Sequence, residues 1–166
     1  MFKKLVISLC GALLATLAAL TAASAGSTVT WSATLAENLG GRIQSPFVCP
    51  LGEACGSGEV VGLGQAQDVV VFGGACAGGC DVRTLTFADG SRLVLDEIAT
   101  GPFVPGHSYL APQNSFGHPA RFALADVIDP AASTDRFAGA TGTATGGVVF
   151  SGGVAIITLS GNLTFA

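Results

Sequence analysis

The sequence is poor in positive charge. Lysine occurs only at positions 3 and 4, and the other cations among the 166 residues are five arginines. Eleven acidic residues oppose them, so the chain from residue 26 onward has a net charge of −6. Binding of nucleic acid requires clustered cations that neutralise phosphates, and this composition argues against such a partner. The arginines are Arg42, Arg83, Arg92, Arg121 and Arg136.

Tryptophan and tyrosine are scarce, and helical periodicity and familiar catalytic motifs are lacking. One Trp and one Tyr are too few for the two aromatic girdles of an outer-membrane barrel. Beyond residue 25, no segment repeats its apolar residues with the 3.6-residue period of a helix. There is no phosphate-binding loop, nucleophile elbow, H-E-x-x-H motif or EF-hand loop. The sequence therefore predicts neither a cofactor nor a metal ion.

The first 25 residues have the pattern of a signal peptide. A basic pair at positions 3–4 precedes the 16-residue apolar run Leu5–Leu20, and Ala23-Ser24-Ala25 offers small residues for cleavage. The run is short for a transmembrane helix, which needs about 20 apolar residues. We expect residues 1–25 to be removed on export, and residues 26–166 to form one domain in the periplasm or outside the cell.

Short runs of β-branched and apolar residues, separated by glycine, make up most of the remaining chain. From Thr28 to Glu37 the residues alternate, with Val29, Trp31, Ala33 and Leu35 on one face, as in a half-buried strand. Further strands are predicted over Gly58–Gly73 (bent or broken at Gly62, Gly64 or Gln65–Asp68), Val82–Phe87, Arg92–Thr100, Ala120–Ile128, Thr143–Phe150 and Val154–Phe165.

The connections between these runs indicate an all-β fold. Cys76–Cys80 and Ala88–Ser91 are typical hairpin tips, whereas Leu39–Ser57 and Gly101–Pro119 are predicted to be long loops. Seven or eight short strands joined in this way form either a β-sandwich or a single antiparallel β-barrel. A barrel leaves no edge strand exposed, which suits an exported chain rich in glycine.

The segment Arg136–Gly142 (Arg-Phe-Ala-Gly-Ala-Thr-Gly) places two large side chains before five small ones. It predicts a tight corner in which Phe137 fills a core, while Gly139 and Gly142 let strands approach closely. Arg136 is expected to pair locally with a neighbouring aspartate, Asp129 or Asp135, the alternative being a contact with an anionic ligand.

Phe-Ala-Gly-Ala-Thr-Gly, followed by glycine-rich strands, resembles the corner of barrels related to allene oxide cyclase and dirigent proteins. Many secreted bacterial proteins without an assigned activity share it. The resemblance extends over about Gly58–Ala166, although Asp129–Asp135 stands where that family usually has a Thr-Gly-Gly-Thr-Gly-like run. It implies a barrel rather than a sandwich, and chemistry in which a reactive small molecule is guided within an apolar barrel. The matching residues belong to the corner, so they identify no catalytic residue.

Four cysteines follow the predicted signal peptide: Cys49, Cys55, Cys76 and Cys80. An even number in an exported chain indicates two disulfides, whereas the C-x5-C and C-x3-C spacings fit a zinc site poorly. We expect the local bridges Cys49–Cys55 and Cys76–Cys80. The strand predicted between the two pairs would separate them by more than the roughly 7 Å that a bridge allows between Cα atoms.

Asp96 and Glu97 are the first candidates for ligand contact. Neighbours on a strand point to opposite faces, so one of the two is expected to face the barrel interior. A carboxyl group there would have a raised pKa and could act as a general base. The alternative is one solvated acid and one structural partner for Arg83 or Arg121.

His107, Tyr109 and His118 are the other candidates, because they concentrate hydrogen-bonding groups in the proline-rich segment Gly101–Pro119. The alternative is an exposed loop without a ligand. The two histidines with Asp126 do not match a known metal-ligand spacing.

These features predict an exported barrel that is not an enzyme and either binds a small apolar ligand or serves a structural role. The competing prediction is a metal-independent cyclase-, isomerase- or dirigent-like enzyme acting on a small apolar substrate. Neither hypothesis requires a membrane partner after signal cleavage, and the sequence leaves the oligomeric state open.

Overall fold

A computed structural model of the chain describes residues 26–39, 43–44, 47–73, 80–100, 121–151 and 154–166. These residues form strands and one short 3-10 turn, η1, and contain no α-helix. The elements are β1 (Thr28–Leu39), β2 (Ile43–Gln44), β3 (Phe47–Val48), β4 (Glu53–Val61), β5 (Gly64–Val71), β6 (Asp81–Phe87), β7 (Arg92–Thr100), β8 (Arg121–Ile128), η1 (Asp135–Phe137), β9 (Thr141–Ser151) and β10 (Val154–Thr164).

The eight longer strands close into one antiparallel barrel. Their order is β1-β10-β9-β8-β7-β6-β5-β4, and β4 pairs in turn with β1. The short strands β2 and β3 pair only with each other. The predicted single barrel of seven or eight strands is confirmed, and the sandwich alternative is wrong. In the part of the chain described, no helix is both long and apolar enough to span a membrane.

Because every barrel strand is antiparallel to its neighbours, the chain connections alternate between two ends. We call one the corner end: it carries the β4–β5 and β6–β7 tips and the segment between β8 and β9. The other, the loop end, is where β1, β5, β7 and β9 finish and β4, β6, β8 and β10 begin. On β1, Trp31, Ala33 and Leu35 are buried in the core, on the face that the alternation predicts.

The last part of the predicted loop Leu39–Ser57 is wrong, because strand β4 begins at Glu53. Two glycines hide this strand from a pattern of alternating side chains. A Cβ atom added at Gly58 would lie 2.0 Å from the carbonyl oxygen of Thr34 on β1. The crowded interior positions of β4 therefore exclude side chains, and the apolar signal is missing there.

The predicted strand Gly58–Gly73 is broken at Gly62, one of the positions considered. Gly62 has a φ of 88°, which favours glycine, and the Leu63 amide donates to the Val60 carbonyl oxygen at 2.9 Å. β4 and β5 consequently form a hairpin with its tip at the corner end. Cys49, Cys55 and Cys80 therefore all lie at the loop end, contrary to the separation expected from the sequence.

The predicted local pairing is confirmed for the first two cysteines. Cys49 and Cys55 form a disulfide, with their Cα atoms 5.6 Å apart, as predicted. Cys80 is also disulfide-bonded, whereas Cys76, its predicted partner, lies outside the described residues. The first bridge fastens the chain before β4 to the strand itself.

The segment between β8 and β9 closes the corner end with aromatic rings. Phe137 is completely buried, which agrees with its predicted place in the core. Its ring centroid lies 5.1 Å from that of Phe87 and 6.1 Å from that of Phe165. At Gly142, an added Cβ atom would lie 2.0 Å from the carbonyl oxygen of Asn162, so strands β9 and β10 do approach closely there.

Arg136 does not pair with Asp129 or Asp135, and that prediction is wrong. Its guanidinium carbon lies 4.6 Å from the ring centroids of both Phe87 and Phe137. Nη2 donates to the Leu63 carbonyl oxygen at 2.9 Å, and Nε donates to the Ser91 hydroxyl at 3.1 Å. Arg136 thus points across the corner end and joins the two hairpin tips, where Asp89, 3.5 Å away, supplies the nearest negative charge.

Candidate functional site

The barrel interior contains five buried charged side chains, which we call the interior cluster. They come from β1, β5, β6, β7 and β8, and the strand alternation directs all of them inward. Two are direct register partners, since Glu97 on β7 lies opposite Asp126 on β8. The cluster thus contains four carboxyl groups and one guanidinium group. The members are Glu37, Asp68, Arg83, Glu97 and Asp126.

Arg83 is the centre of the cluster. Its Nη1 donates to the carboxylate of Glu37 and, at 2.5 Å, to Oδ2 of Asp68. Its Nε donates to Oε2 of Glu97 at 2.7 Å. One guanidinium therefore connects strands that lie on opposite sides of the barrel, which only a planar, multiply donating group can do.

Asp126 is the member that Arg83 does not hold. It is 2% exposed, and neither of its carboxyl oxygens has a hydrogen-bond donor within reach in the described chain. Its neighbour is the carboxyl group of Glu97, and two carboxyl groups can hydrogen-bond only when one of them is protonated. Burial and the charge of Glu97 raise the pKa of Asp126 to about 7.

The pKa values of Asp68 and Glu97 are shifted in the same direction. Burial raises the pKa of Asp68 well above its ordinary value, although Arg83 opposes the change. Burial also raises the pKa of Glu97, and the positive charge of Arg83 again opposes the change. Burial lowers the pKa of Arg83, but attraction by Asp68, Glu37 and Glu97 outweighs this and holds it well above its ordinary value. Arg83 is therefore a permanent cation, and part of the carboxyl groups retain protons near neutral pH.

The interior cluster rests on an apolar floor. Two residues closer to the corner end on four of its strands are the buried side chains Leu35, Leu85, Leu95 and Ile128. On the other side, toward the loop end, Ala99 shares a face with Glu97 and yet is exposed. The cluster therefore lies between a closed hydrophobic half and the loop-end mouth of the barrel, where Val70 and Leu124 are buried but Ala99 is exposed.

We expect the free energy of unfolding to decrease as the pH rises from about 4 to about 8. Asp126 ordinarily titrates near 3.8 but near 7 in the fold, so between these values the folded protein holds a proton that the unfolded chain has lost. Raising the pH therefore favours unfolding, by an amount on the order of 4 kcal/mol if this group acts alone. Urea denaturation at several pH values measures the effect.

Asp126→Asn should remove much of this pH dependence and stabilise the protein at pH 8. Asp96→Asn is the matched control, because Asp96 lies on the outer face of β7 and should leave the dependence unchanged. A wild-type protein equally stable at pH 5 and pH 8 would contradict the proposed state of Asp126.

The structure places only some of the residues that the sequence predicts for ligand contact. Of Asp96 and Glu97, it is Glu97 that faces inward, where it pairs with Arg83, one of the two arginines considered as a structural partner. His107, Tyr109 and His118 lie outside the described residues. They belong to the chain that connects β7 to β8, two strands that end and begin at the loop end.

Sequence reasoning missed Glu37 and Asp68 as site residues. The signal for Glu37 was present, because it follows Val29, Trp31, Ala33 and Leu35 at the same two-residue spacing. Asp68 was assigned to a polar bend, although Ala66 and Val70 flank it with strand spacing. A single charged residue at the end of an apolar strand face suggests that the buried part of the strand ends there. In this barrel the charged side chain is itself buried in the core.

The outer wall offers a less polar feature. An open cleft of about 410 Å³ lies over β8, β9 and β10, where Gly147 has no side chain and Phe122 and Ile156 contribute to the lining. Its lining contains no ionisable group. Across the described ranges, no three His, Cys, Asp or Glu side chains are arranged to hold a metal ion. The interior cluster is therefore the more chemically specific site.

Comparisons of the chain with models of protein families, with curated proteins and with solved structures give no match. The functional interpretation consequently rests on the geometry of the interior cluster and of the barrel mouth.

Proposed function

We propose that the protein is an exported β-barrel that binds a small, mainly apolar molecule in the loop-end half of its interior and does not act on it chemically. The carboxyl group of Asp126 supplies the polar contact. The observation that carries the proposal is the burial of this group, which is 2% exposed, with no hydrogen-bond donor for its oxygens among the described residues. Buried polar groups are nearly always paired, and one that is not requires an explanation such as a bound partner.

The surroundings of the cluster support a site of this kind. Small-molecule sites are largely apolar and contain a few polar groups that fix the orientation of the ligand. Here the apolar part is the floor of Leu35, Leu85 and Leu95, and the polar part is the cluster above it. The exposed, inward-facing Ala99 marks a route from the loop end.

Export is part of the proposal. The Cys49–Cys55 disulfide is consistent with an oxidising compartment. The basic, apolar and small-residue pattern of residues 1–25 supplies the signal for secretion. The acidic balance of the remaining chain favours solubility after release.

Native mass spectrometry of protein purified after export tests the binding function. We expect a small molecule to leave with the protein and to be lost in Ala99→Trp, because the indole ring would fill the mouth without contacting Arg83. Ile98→Trp is the matched control, since Ile98 directly precedes Ala99 on β7 but lies on the outer face with 54% exposure.

Two results would contradict the binding function. One is wild-type protein that carries no molecule and whose melting temperature is unchanged by small apolar compounds. The other is equal loss of the molecule in Ala99→Trp and Ile98→Trp, which would place the ligand outside the barrel.

The pKa of Asp126 favours a second candidate function. A carboxyl group that titrates near 7 beside a second carboxyl group is suited to general acid–base catalysis. A metal-independent cyclase or isomerase, which the resemblance of the corner implies, would use such a pair. Mass spectrometry of the bound molecule before and after prolonged incubation separates the two functions. An unchanged molecule supports binding alone, and conversion that Asp126→Asn abolishes supports the enzyme.

A further inference from the structure

We infer that the molecule bound in the barrel interior carries a protonated basic nitrogen that contacts Asp126 and Glu97. This inference rests on the proposed binding function and specifies the chemical class of the ligand. It follows from the balance of charge in the interior cluster and from the side of the cluster that Arg83 leaves without a cation.

The cluster has more carboxyl groups than its one cation can neutralise. Arg83 contacts Glu37, Asp68 and Glu97, but it does not hydrogen-bond Asp126. The interior positions beside the cluster on the other three strands carry no charge, since they are Gly56 on β4, Ala144 on β9 and Ala155 on β10. Asp81, half-buried on β6 toward the loop end, adds further negative charge near Glu97.

The position of the excess charge determines what can satisfy it. A buried carboxylate is stabilised by an opposite charge within about 4–6 Å and by hydrogen bonds to its oxygens. Neither oxygen of Asp126 has a hydrogen-bond donor in the described chain, and the charge of Arg83 does not offset the effects of burial and of Glu97 on this group. A protonated amine offers three donors on a compact cation, whereas a carboxylate ligand would add repulsion and a hydroxyl group would leave the charge uncompensated.

Binding of an ammonium group must therefore compete with the proton that Asp126 holds. At a pH above about 7 the carboxyl group of Asp126 is already ionised, and at a lower pH the ligand has to displace a proton. The affinity for an amine should consequently rise roughly tenfold between pH 6 and pH 8, with proton release at the lower pH. An alcohol of equal size would show no such rise.

Calorimetric titration of the exported protein with hexylammonium, hexan-1-ol and hexanoate tests the inference, because the three probes share one apolar chain. We expect hexylammonium to bind at least tenfold more tightly than hexan-1-ol at pH 8, and hexanoate to bind least. Titrations at pH 6 in two buffers of different ionisation enthalpy should show proton release. Asp126→Asn and Glu97→Gln should each remove the preference for the amine, whereas Asp96→Asn should retain it.

Each other outcome counts against the inference in a distinct way. If hexan-1-ol or hexanoate binds as tightly as hexylammonium, the ligand class is wrong and the binding function stands. If Asp126→Asn and Glu97→Gln both keep the preference for the amine, the cation is bound elsewhere and the inference fails. If none of the three probes binds, the inference and the proposed function fail together.

Discussion

Replacing Arg83 by methionine should destabilise the protein by about 3–5 kcal/mol at neutral pH, a large fraction of the stability of a small domain. Methionine retains much of the volume of arginine but removes the cation from Glu37, Asp68 and Glu97. Carboxyl groups that remain buried without it must take up protons or draw water into the core. Chemical denaturation at pH 7 measures the loss.

Two further variants separate the buried charge from a general effect of losing arginine. Arg92→Met is the matched control, because Arg92 is exposed on β7 and should change stability little. Adding Asp68→Asn and Glu97→Gln to Arg83→Met should recover part of the loss, since the uncompensated carboxyl groups are then removed. Equal stability of the Arg83 and Arg92 variants would contradict the role of the guanidinium as the centre of the core.

Replacing Phe137 by alanine should cost about 3–5 kcal/mol, the usual range for truncating a fully buried aromatic ring. The ring fills the corner end between Phe87 and Phe165 and also supports the guanidinium of Arg136. For a domain of this size the loss corresponds to a melting temperature lower by roughly 10–20 °C. Differential scanning calorimetry measures it directly.

Phe165→Ala provides the comparison for that result. Phe165 stacks on Phe137 but is only partly buried, so its truncation should lower the melting temperature less. If Phe137→Ala melted at the wild-type temperature, the corner would not close the core.

The fold could be predicted from the sequence because strand alternation is visible wherever side chains are present. Arg92–Thr100 was assigned with the bounds of β7, and the predicted strand Ala120–Ile128 begins one residue before β8 and ends with it. The pattern failed on β4, where Gly56 and Gly58 leave no side chains to alternate. Contact with the backbone of β1 excludes those side chains, and that contact connects residues distant in the chain.

The candidate site was predictable only in pieces. The inward carboxyl group of Glu97 and its pairing with Arg83 followed from strand alternation and charge. The approach of Glu37 and Asp68 to the guanidinium of Arg83, and of Asp126 to Glu97, depends on the order and register of five strands. Local sequence patterns do not contain that information, because β1 and β6 lie on different sides of the barrel.

The corner shows the same division between local and distant information. The small residues of Arg136–Gly142 predicted the tight turn and the buried ring of Phe137. The partners of Arg136, however, are the Leu63 carbonyl oxygen and the Ser91 hydroxyl at two hairpin tips far away in the chain. Proximity in the sequence to Asp129 and Asp135 therefore did not predict the ion-pair partner of Arg136, which is Asp89.

The most direct test of the account is the titration of the Asp126 side chain, followed by the carbon-13 chemical shift of its carboxyl carbon in labelled, ligand-free protein. Burial beside Glu97 and outside the hydrogen-bonding reach of Arg83 predicts a midpoint near 7. Asp96→Asn should leave that midpoint unchanged, and Glu97→Gln should lower it. A midpoint near the ordinary value of 3.8 would show that Asp126 is solvated or paired. It would contradict the buried carboxyl group without a hydrogen-bond donor, on which the proposed ligand site depends.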